Sequence, residues 1–313
     1  GYTIESLYIQ RPNSTIPGGL FSKLGEDGSI RNLNLENMNI IGDNPVGGLI
    51  GFNDGSVYNV DVSGSVSGTQ QSQFSNVGGL IGRHNASGEL QDVSASGTVM
   101  GYGRVGGLVG ASRGTIKRAY TDVEITAEGI ISGGLVGWNK NGDISESFST
   151  GNVDGSNYVG GLVGLNNSGS ITSSYSTGAV NGSDIVGSLI GENRDEASVT
   201  TSYAVGSVTG NGSDVGGMIG LNNATVTHSY WNTETSGQSS SAGGEGKTTA
   251  ELKSLNTFTE AGWDFTEDTG VWAIEQGNRM SYPYLQSIEY DEPGSTPEVN
   301  PIPGLTDPLY AGG

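Results

Sequence analysis

The side chains best suited to chemistry lie mid-chain: Asp122, Glu124, Asp143 and Glu146, with Arg113, Lys117 and Arg118 close by in sequence. Paired carboxylates beside basic groups are what polysaccharide-cleaving enzymes use, one as acid and the other as base or nucleophile. A structural explanation competes with this one. Aligned by the repeat described below, Arg118 and Glu146 fall in one column a repeat apart, where a cross-strand ion pair accounts for both. Other chemistries lack their residues. His84 and His228 are the only histidines, no His-Glu-x-x-His pattern exists, and both are read as rung-surface residues rather than zinc ligands. Without cysteine or a histidine placed as a base, no nucleophilic triad can be assembled. Asp154, Asp184 and Asp214 sit near equivalent Gly/Asn turns, and one carboxylate per turn suits solvation better than calcium. Tyr58, Tyr102, Trp138 and Tyr158 read as exposed rings able to stack on sugars, although they share no column. No catalytic, cofactor-binding or metal residue is assigned, and the chain is expected not to be an enzyme.

The element that must carry these side chains is a repeat. Gly-Leu-Val-Gly occurs at 107–110, 134–137 and 161–164, and Gly-Leu-Ile-Gly at 48–51 and 79–82. Degenerate copies are Ser188-Leu189-Ile190-Gly191 and Gly217-Met218-Ile219-Gly220, with a weaker one at Gly18-Gly19-Leu20-Phe21. Successive copies lie 27 to 31 residues apart, and a sustained period of that size marks a stacked architecture. Apolar residues align into columns: Val46, Val77, Val105, Val159, Val186 and Val215 before the anchor; Leu49, Leu80, Leu108, Leu135, Leu162, Leu189 and Met218 within it. Two further strands supply Val57, Leu90, Ile116, Ile144, Ile171, Val199 and Val226, then Val66, Val99, Ile125, Val153, Val180 and Val208. Three short strands per 27 or so residues predict an all-β chain folded as a parallel β-solenoid (β-helix). Its rungs would stack at about 4.8 Å.

Two more columns suggest how rungs are tied. Asn53, Asn139, Asn166, Asn193 and Asn222, with His84 and Ser112 in the other rungs, can pass amide hydrogen bonds along the stack. Tyr120, Phe148, Tyr175, Tyr203 and Tyr230 can stack ring on ring. Alternation within Val-Gly-Gly-Leu-Val-Gly puts Val and Leu on opposite faces and leaves open which is interior. No proline lies between Pro45 and Pro283, as a ladder of backbone donors requires.

Composition bounds the role. With 55 Gly and 7% aromatics in 313 residues, a thin core shared along a stack fits better than a spherical one. The net charge of −20 disfavours nucleic acid, which needs Lys and Arg against its phosphates, and suits solubility, including in salty surroundings. No run of 18 apolar residues exists, so no membrane insertion is expected of this chain. The absence of cysteine leaves the compartment open.

The Gly-Gly-Leu-Val-Gly-x-Asn core followed by Gly-Ser-Ile-Thr-Ser-Ser-Tyr-Ser-Thr-Gly (169–178) resembles the GLUG repeat family across roughly 46–230. Such repeats occur in large bacterial and archaeal surface proteins, including adhesin-like chains and non-catalytic parts of secreted peptidases. Gly262-Trp263-Asp264-Phe265, Trp272-Ala273-Ile274 and Tyr282-Pro283-Tyr284-Leu285 are similar to the segment that often closes these arrays. Ser188 and Met218 depart from the anchor pattern, so slight distortion is expected at those rungs.

Four segments follow. Residues 1–45 read as N-terminal opening coils, beginning partway into a coil with the first layer uncovered, and 46–235 as the repeat solenoid. Residues 236–285 read as a C-terminal cap with a short helix, since Thr248 and Glu251 have capping-box spacing, and 286–313 as a Pro-rich tail or linker. The resemblance implies an extracellular cell-surface structural protein: an adhesin stalk, sheath or filament component acting as stiff spacer and interaction surface. Self-association through solenoid ends or tail, and surface glycans, are the expected partners. The alternatives are a carbohydrate-binding or polysaccharide-cleaving β-solenoid, and an accessory region of a larger enzyme.

Overall fold

The computed structural model describes residues 1–277 and 280–288. The chain is all-β, about 53% strand and 3% helix, wound into a parallel β-solenoid of about nine turns with about 27 residues each. At ~4.8 Å per turn this gives a rod of roughly 40 Å.

Each turn contributes to three sheets. The first is long, with strands such as Ser56–Gly68, Glu89–Gly101 and Thr115–Ala127 lying in register, Val57 on Leu90 on Ile116. From Asp143 to Thr209 each strand of this sheet breaks into three short pieces, yet Ile116, Ile144, Ile171, Val199 and Val226 still pair in sequence. The column from Val66 through Val99, Ile125, Val153 and Val180 to Val208 pairs likewise. Among the described residues, a seven-stranded and an eight-stranded sheet complete the coil.

The anchor motif is a corner between these two smaller sheets, not one strand. In the second coil one strand ends at Gly47 and the next begins at Ile50. The bend resets the alternation, so Val46, Leu49 and Ile50 all point inward and none is solvent-exposed. The opposite-face expectation fails for that reason. The main-chain ladder crosses the corner unbroken: each Leu N–H, from Leu49 to Leu189, reaches the carbonyl of the equivalent residue one coil on at 2.9–3.0 Å. Glycine is required here. A Cβ on Gly107 or Gly134 would meet the next coil's carbonyl oxygen at 2.0 Å. Ser188 and Met218 do not distort the stack, because the Ser188 hydroxyl donates to the Gly217 carbonyl and Leu189 N–H still bonds Met218 at 2.9 Å.

A second corner lies in the long sheet, where Asn32, Asn59, Asp92, Arg118, Glu146, Ser173, Thr201 and His228 all take positive φ between 46° and 57°. Left-handed backbone disfavours most of these residue types, so the neighbouring coils must hold it. A buried serine ladder helps do so. Ala119, Ser147, Ser174 and Ser202 each donate their N–H to the hydroxyl of Ser147, Ser174, Ser202 or Ser229 one coil on, at 3.1–3.3 Å.

The polar segment after Trp231 is itself part of the stack. Glu245–Lys247 pairs with Tyr230–Asn232, and Ser240 and Ser241 accept the N–H groups of Gly217, Met218 and Ile219. The Trp231 side chain is 4% exposed and fills the core at this end. Two short helices follow, α1 (Thr249–Leu252) and α2 (Leu255–Thr259), and α1 carries the expected capping box of Thr248 and Glu251. The aromatics after them do not cover the end of the rod. Trp263, Trp272 and Leu285 fold back along its side, over Phe148, Tyr175, Tyr203 and Tyr230. Of the Pro-rich stretch 286–313, residues 289–313 lie outside the described residues.

Candidate functional site

The acidic and basic residues expected to share one face are divided among neighbours. Lys117 pairs with Glu146 at 3.1 Å, and Arg118 grips Asp92 of the preceding coil with Nε at 2.6 Å and a second nitrogen at 2.9 Å. Arg118 and Glu146 do share a column, but the expected pair between them is replaced by these two. The Arg118 hydrogen bonds hold the Asp92 carboxyl below its ordinary range, and Asp92 in turn raises Arg118. Asp122 accepts from Thr150 at 3.2 Å, Glu124 from Asn152 at 3.0 Å, and Asp143 from Ser170. Each contact joins adjacent coils, so these acids tie the stack rather than converge on a substrate.

The three loop acids are not equivalent. Asp154 is the register partner of Asn181, Asp214 that of Ile185, and Asp184 stands one residue before Ile185. They therefore occupy three columns.

His84 is not a surface residue. It is fully buried inside the asparagine column, with Nδ1 facing Asn53 Nδ2 at 3.1 Å and Nε2 facing the Thr115 carbonyl at 3.3 Å. Since that carbonyl only accepts, Nε2 carries the proton and Nδ1 accepts from Asn53. Burial lowers its pKa to about 4. His228 is exposed at the left-handed corner, and its carbonyl accepts the Trp263 indole N–H at 3.0 Å. Beyond His84 the column runs as expected: Asn139 to Asn166, Asn166 to Asn193 and Asn193 to Asn222, each at 2.9 Å. The aromatic column stacks too, with centroid separations of 5.3, 4.7 and 5.0 Å from Tyr120 to Tyr203.

Tyr58, Tyr102, Trp138 and Tyr158 are half-buried rather than exposed. Tyr58 donates its hydroxyl to Glu89 at 2.6 Å. Trp138 is already faced by cations: the Arg104 guanidinium lies 4.1 Å and the Lys140 ammonium 5.4 Å from its ring centre.

This ring marks the site that sequence reasoning missed. Arg83, Ala111 and Trp138 are register partners on three successive coils. Between the large residues, Ala111 leaves a recess of about 40 Å³, which Arg104, Arg113 and Ser112 also line. Arg104 comes from the neighbouring sheet, across the glycine corner. Burial first, and then repulsion by Arg113, lowers the pKa of Arg83, which Asp54 partly offsets; burial and the charges of Arg83 and Arg113 lower that of Arg104. No pattern in the sequence reveals this, because the lining is shared among three coils and does not recur from one to the next.

Comparison with known proteins agrees with the geometry. Residues 155–181 match the GLUG motif. Halomucin of Haloquadratum walsbyi is 37% identical over 137 residues, which is 44% of this chain but 1% of halomucin. A Gly-rich protein of Evansella cellulosilytica, provisionally named a membrane protein, is 35% identical over 98 residues, 29% of this chain and 11% of its own length. The chain thus spans a small part of both relatives. Among solved structures, a Bacteroides ovatus protein provisionally named an immunoglobulin A1 protease superposes with a TM-score of 0.52. That match covers 87% of each chain at 18% identity, a likeness of fold alone. The chain is a β-solenoid that carries the GLUG motif at residues 155–181 and is similar to halomucin and to the Gly-rich protein over part of its length.

Proposed function

We propose that this GLUG-motif solenoid is a stiff structural section of an extracellular cell-surface protein, a spacer and interaction surface rather than an enzyme. The observation that carries the proposal is the unbroken ladder through the anchor corner, from Leu49 to Met218. A chain tied coil to coil by backbone, asparagine, serine and aromatic columns resists bending at every level. The acids that sequence suggests for catalysis are engaged in joining coils, which supports a non-enzymatic role. Likeness to halomucin and to a Gly-rich protein supports the surface location, and −20 net charge suits solubility there. Among the described residues no helix is long and apolar enough to cross a membrane.

The finer part of the proposal is association through the ends. Within the stack each coil hydrogen-bonds the coil on either side, so an end coil offers backbone donors and acceptors to which a further coil adds by strand pairing. Sedimentation velocity over a dilution series tests this: a concentration-dependent shift to larger species is expected, and one unchanging species contradicts it. The location is tested by shaving intact cells of the source organism with a protease. Loss of the protein is expected, and full protection contradicts the proposal.

A further inference from the structure

In a chain with 13 basic residues against 33 acidic ones, most exposed cations should find a carboxylate. Lys23, Lys117, Arg118, Arg194 and Lys247 do. Among the described residues seven cations have no carboxylate within 4.0 Å; Arg11, Arg31 and Lys253 lie apart, while Arg83, Arg104, Arg113 and Lys140 gather around Trp138. Collecting like charges at one recess costs stability unless something of opposite sign enters it.

The groups facing the recess are donors. Arg83 donates its Nε to Asn85 at 3.1 Å, its terminal nitrogens having no hydrogen-bond partner among the described residues, and Arg104 reaches Asn76 with one nitrogen at a long 3.4 Å. Two donors are buried without any acceptor, Arg104 Nε and the Trp138 indole Nε1. Buried donors are normally satisfied, so both have hydrogen-bonding capacity to spare. His84, in the recess wall, brings no charge, since both of its nitrogens are engaged. The volume of about 40 Å³ exceeds the roughly 10–15 Å³ that one water needs, so the recess admits a small polar group. Arg104 and Lys140, at 4.1 and 5.4 Å from the Trp138 ring centre, compete with a sugar for stacking on that ring.

We propose that the recess over Ala111 binds a single oxyanion group, a sulfate or carboxylate, borne by an acidic polysaccharide. Planar guanidinium groups match such oxyanions, and Arg83, Arg104 and Arg113 all line the recess. The polymer, rather than a free ion, is favoured by the arrangement along the rod. Ser112 and Asn139 are register partners, so Arg113 and Lys140, each one residue further on, continue the positive surface from one coil to the next. A chain carrying anionic groups at intervals meets several of these cations at once. The inference is independent of how the rod assembles.

The test is calorimetric titration of the intact protein at low salt with dextran sulfate, polygalacturonate, neutral dextran, polyglutamate and sodium sulfate. Dextran sulfate or polygalacturonate is expected to bind, neutral dextran not, and sodium sulfate only more weakly. Ala111→Leu fills the recess without touching charge, and Leu165 shows that the same column accepts leucine. Ala111→Leu and Arg104→Gln are each expected to weaken polymer binding at least tenfold, about the loss of one charged hydrogen bond. Circular dichroism establishes that each variant folds, and Arg104→Gln serves alone if Ala111→Leu does not. The proposal is overturned if neutral dextran binds as well, if polyglutamate or sodium sulfate binds as tightly as the polysaccharides, or if folded Arg104→Gln binds like the parent.

Discussion

Truncating Asn166 to alanine tests the stack at its centre. The side chain is fully buried and makes three hydrogen bonds: to the Gly169 carbonyl at 3.1 Å, to Asn193 Oδ1 at 2.9 Å, and from Asn139 Nδ2 at 2.9 Å. Asn139 retains the Gly142 carbonyl at 2.9 Å, so its loss is partial. The Gly169 carbonyl and Asn193 Oδ1 lose this donor in a place water does not reach. At ~1 kcal/mol per bond, and 1–3 kcal/mol for each group left unsatisfied, Asn166→Ala costs about 3–5 kcal/mol. Urea unfolding followed by circular dichroism measures it. Because stacked coils can unfold in parts, the midpoint is read beside hydrogen exchange at residues 165–167 and 192–194. Asn167→Ala, on the same strand but bonded at the surface to Asp195, is the control and shifts stability by no more than about 0.5 kcal/mol. In a double-mutant cycle, Asn166→Ala and Asn193→Ala couple by about 0.5–3 kcal/mol. If Asn166→Ala behaves like the surface control, or the cycle shows no coupling, the amide column does not join the coils.

Three further outcomes follow from named groups. Asn139 Oδ1 is buried without a donor because Ser112 interrupts the column, so Ser112→Asn should stabilise by about 1 kcal/mol, and a lower urea midpoint would contradict this. His84 has its pKa depressed by burial from 6.5 to about 4, so between those pH values the unfolded chain binds a proton that the folded chain refuses. Stability therefore falls as pH drops through that window, by roughly 3 kcal/mol for this group. His84→Asn should flatten that part of the stability–pH curve, and an unchanged slope refutes the assignment. Trp272, 1% exposed and packed against Tyr175, Tyr203 and Trp263, should cost about 3–5 kcal/mol when replaced by alanine. Its loss should open the side cover to exchange while residues 165–167 stay protected; equal loss in both places would show that the cover and solenoid fold as one unit.

The columns were legible because stacking makes the chain write the same constraint every turn. Leu90, Ile116, Ile144 and Ile171 must each fill one thin core, and Asn139, Asn166 and Asn193 must each complete the same bond. Where backbone alone is constrained, the sequence is silent. The left-handed corner holds Asn59, Arg118, Glu146 and His228 alike, since their side chains leave the rod and only φ is fixed. The bend at Gly47–Ile50 defeats a strict period of two. A serine one place before each aromatic (Ser147, Ser174, Ser202 and Ser229) was a readable signal for the buried hydroxyl ladder, hidden by the abundance of serine elsewhere. The lateral path of Trp263 and Trp272 was not readable, because an aromatic cluster says that it packs and not on which side. Nor was the recess at Ala111, which depends on one small residue between Arg83 and Trp138.

Register itself can be measured directly, because the chain has no cysteine. Thr172 and Thr200 are partners on adjacent coils of the long sheet, while Ser198 is offset by two residues on the same strand. In-register Cα atoms lie about 4.8 Å apart, within disulfide reach, whereas the offset pair lies near 8 Å and outside it. Under mild oxidation Thr172→Cys with Thr200→Cys should crosslink within the chain, and Thr172→Cys with Ser198→Cys should not. Equal crosslinking of both pairs, or none in the first, would contradict a stack in which each residue rests on its counterpart one coil away.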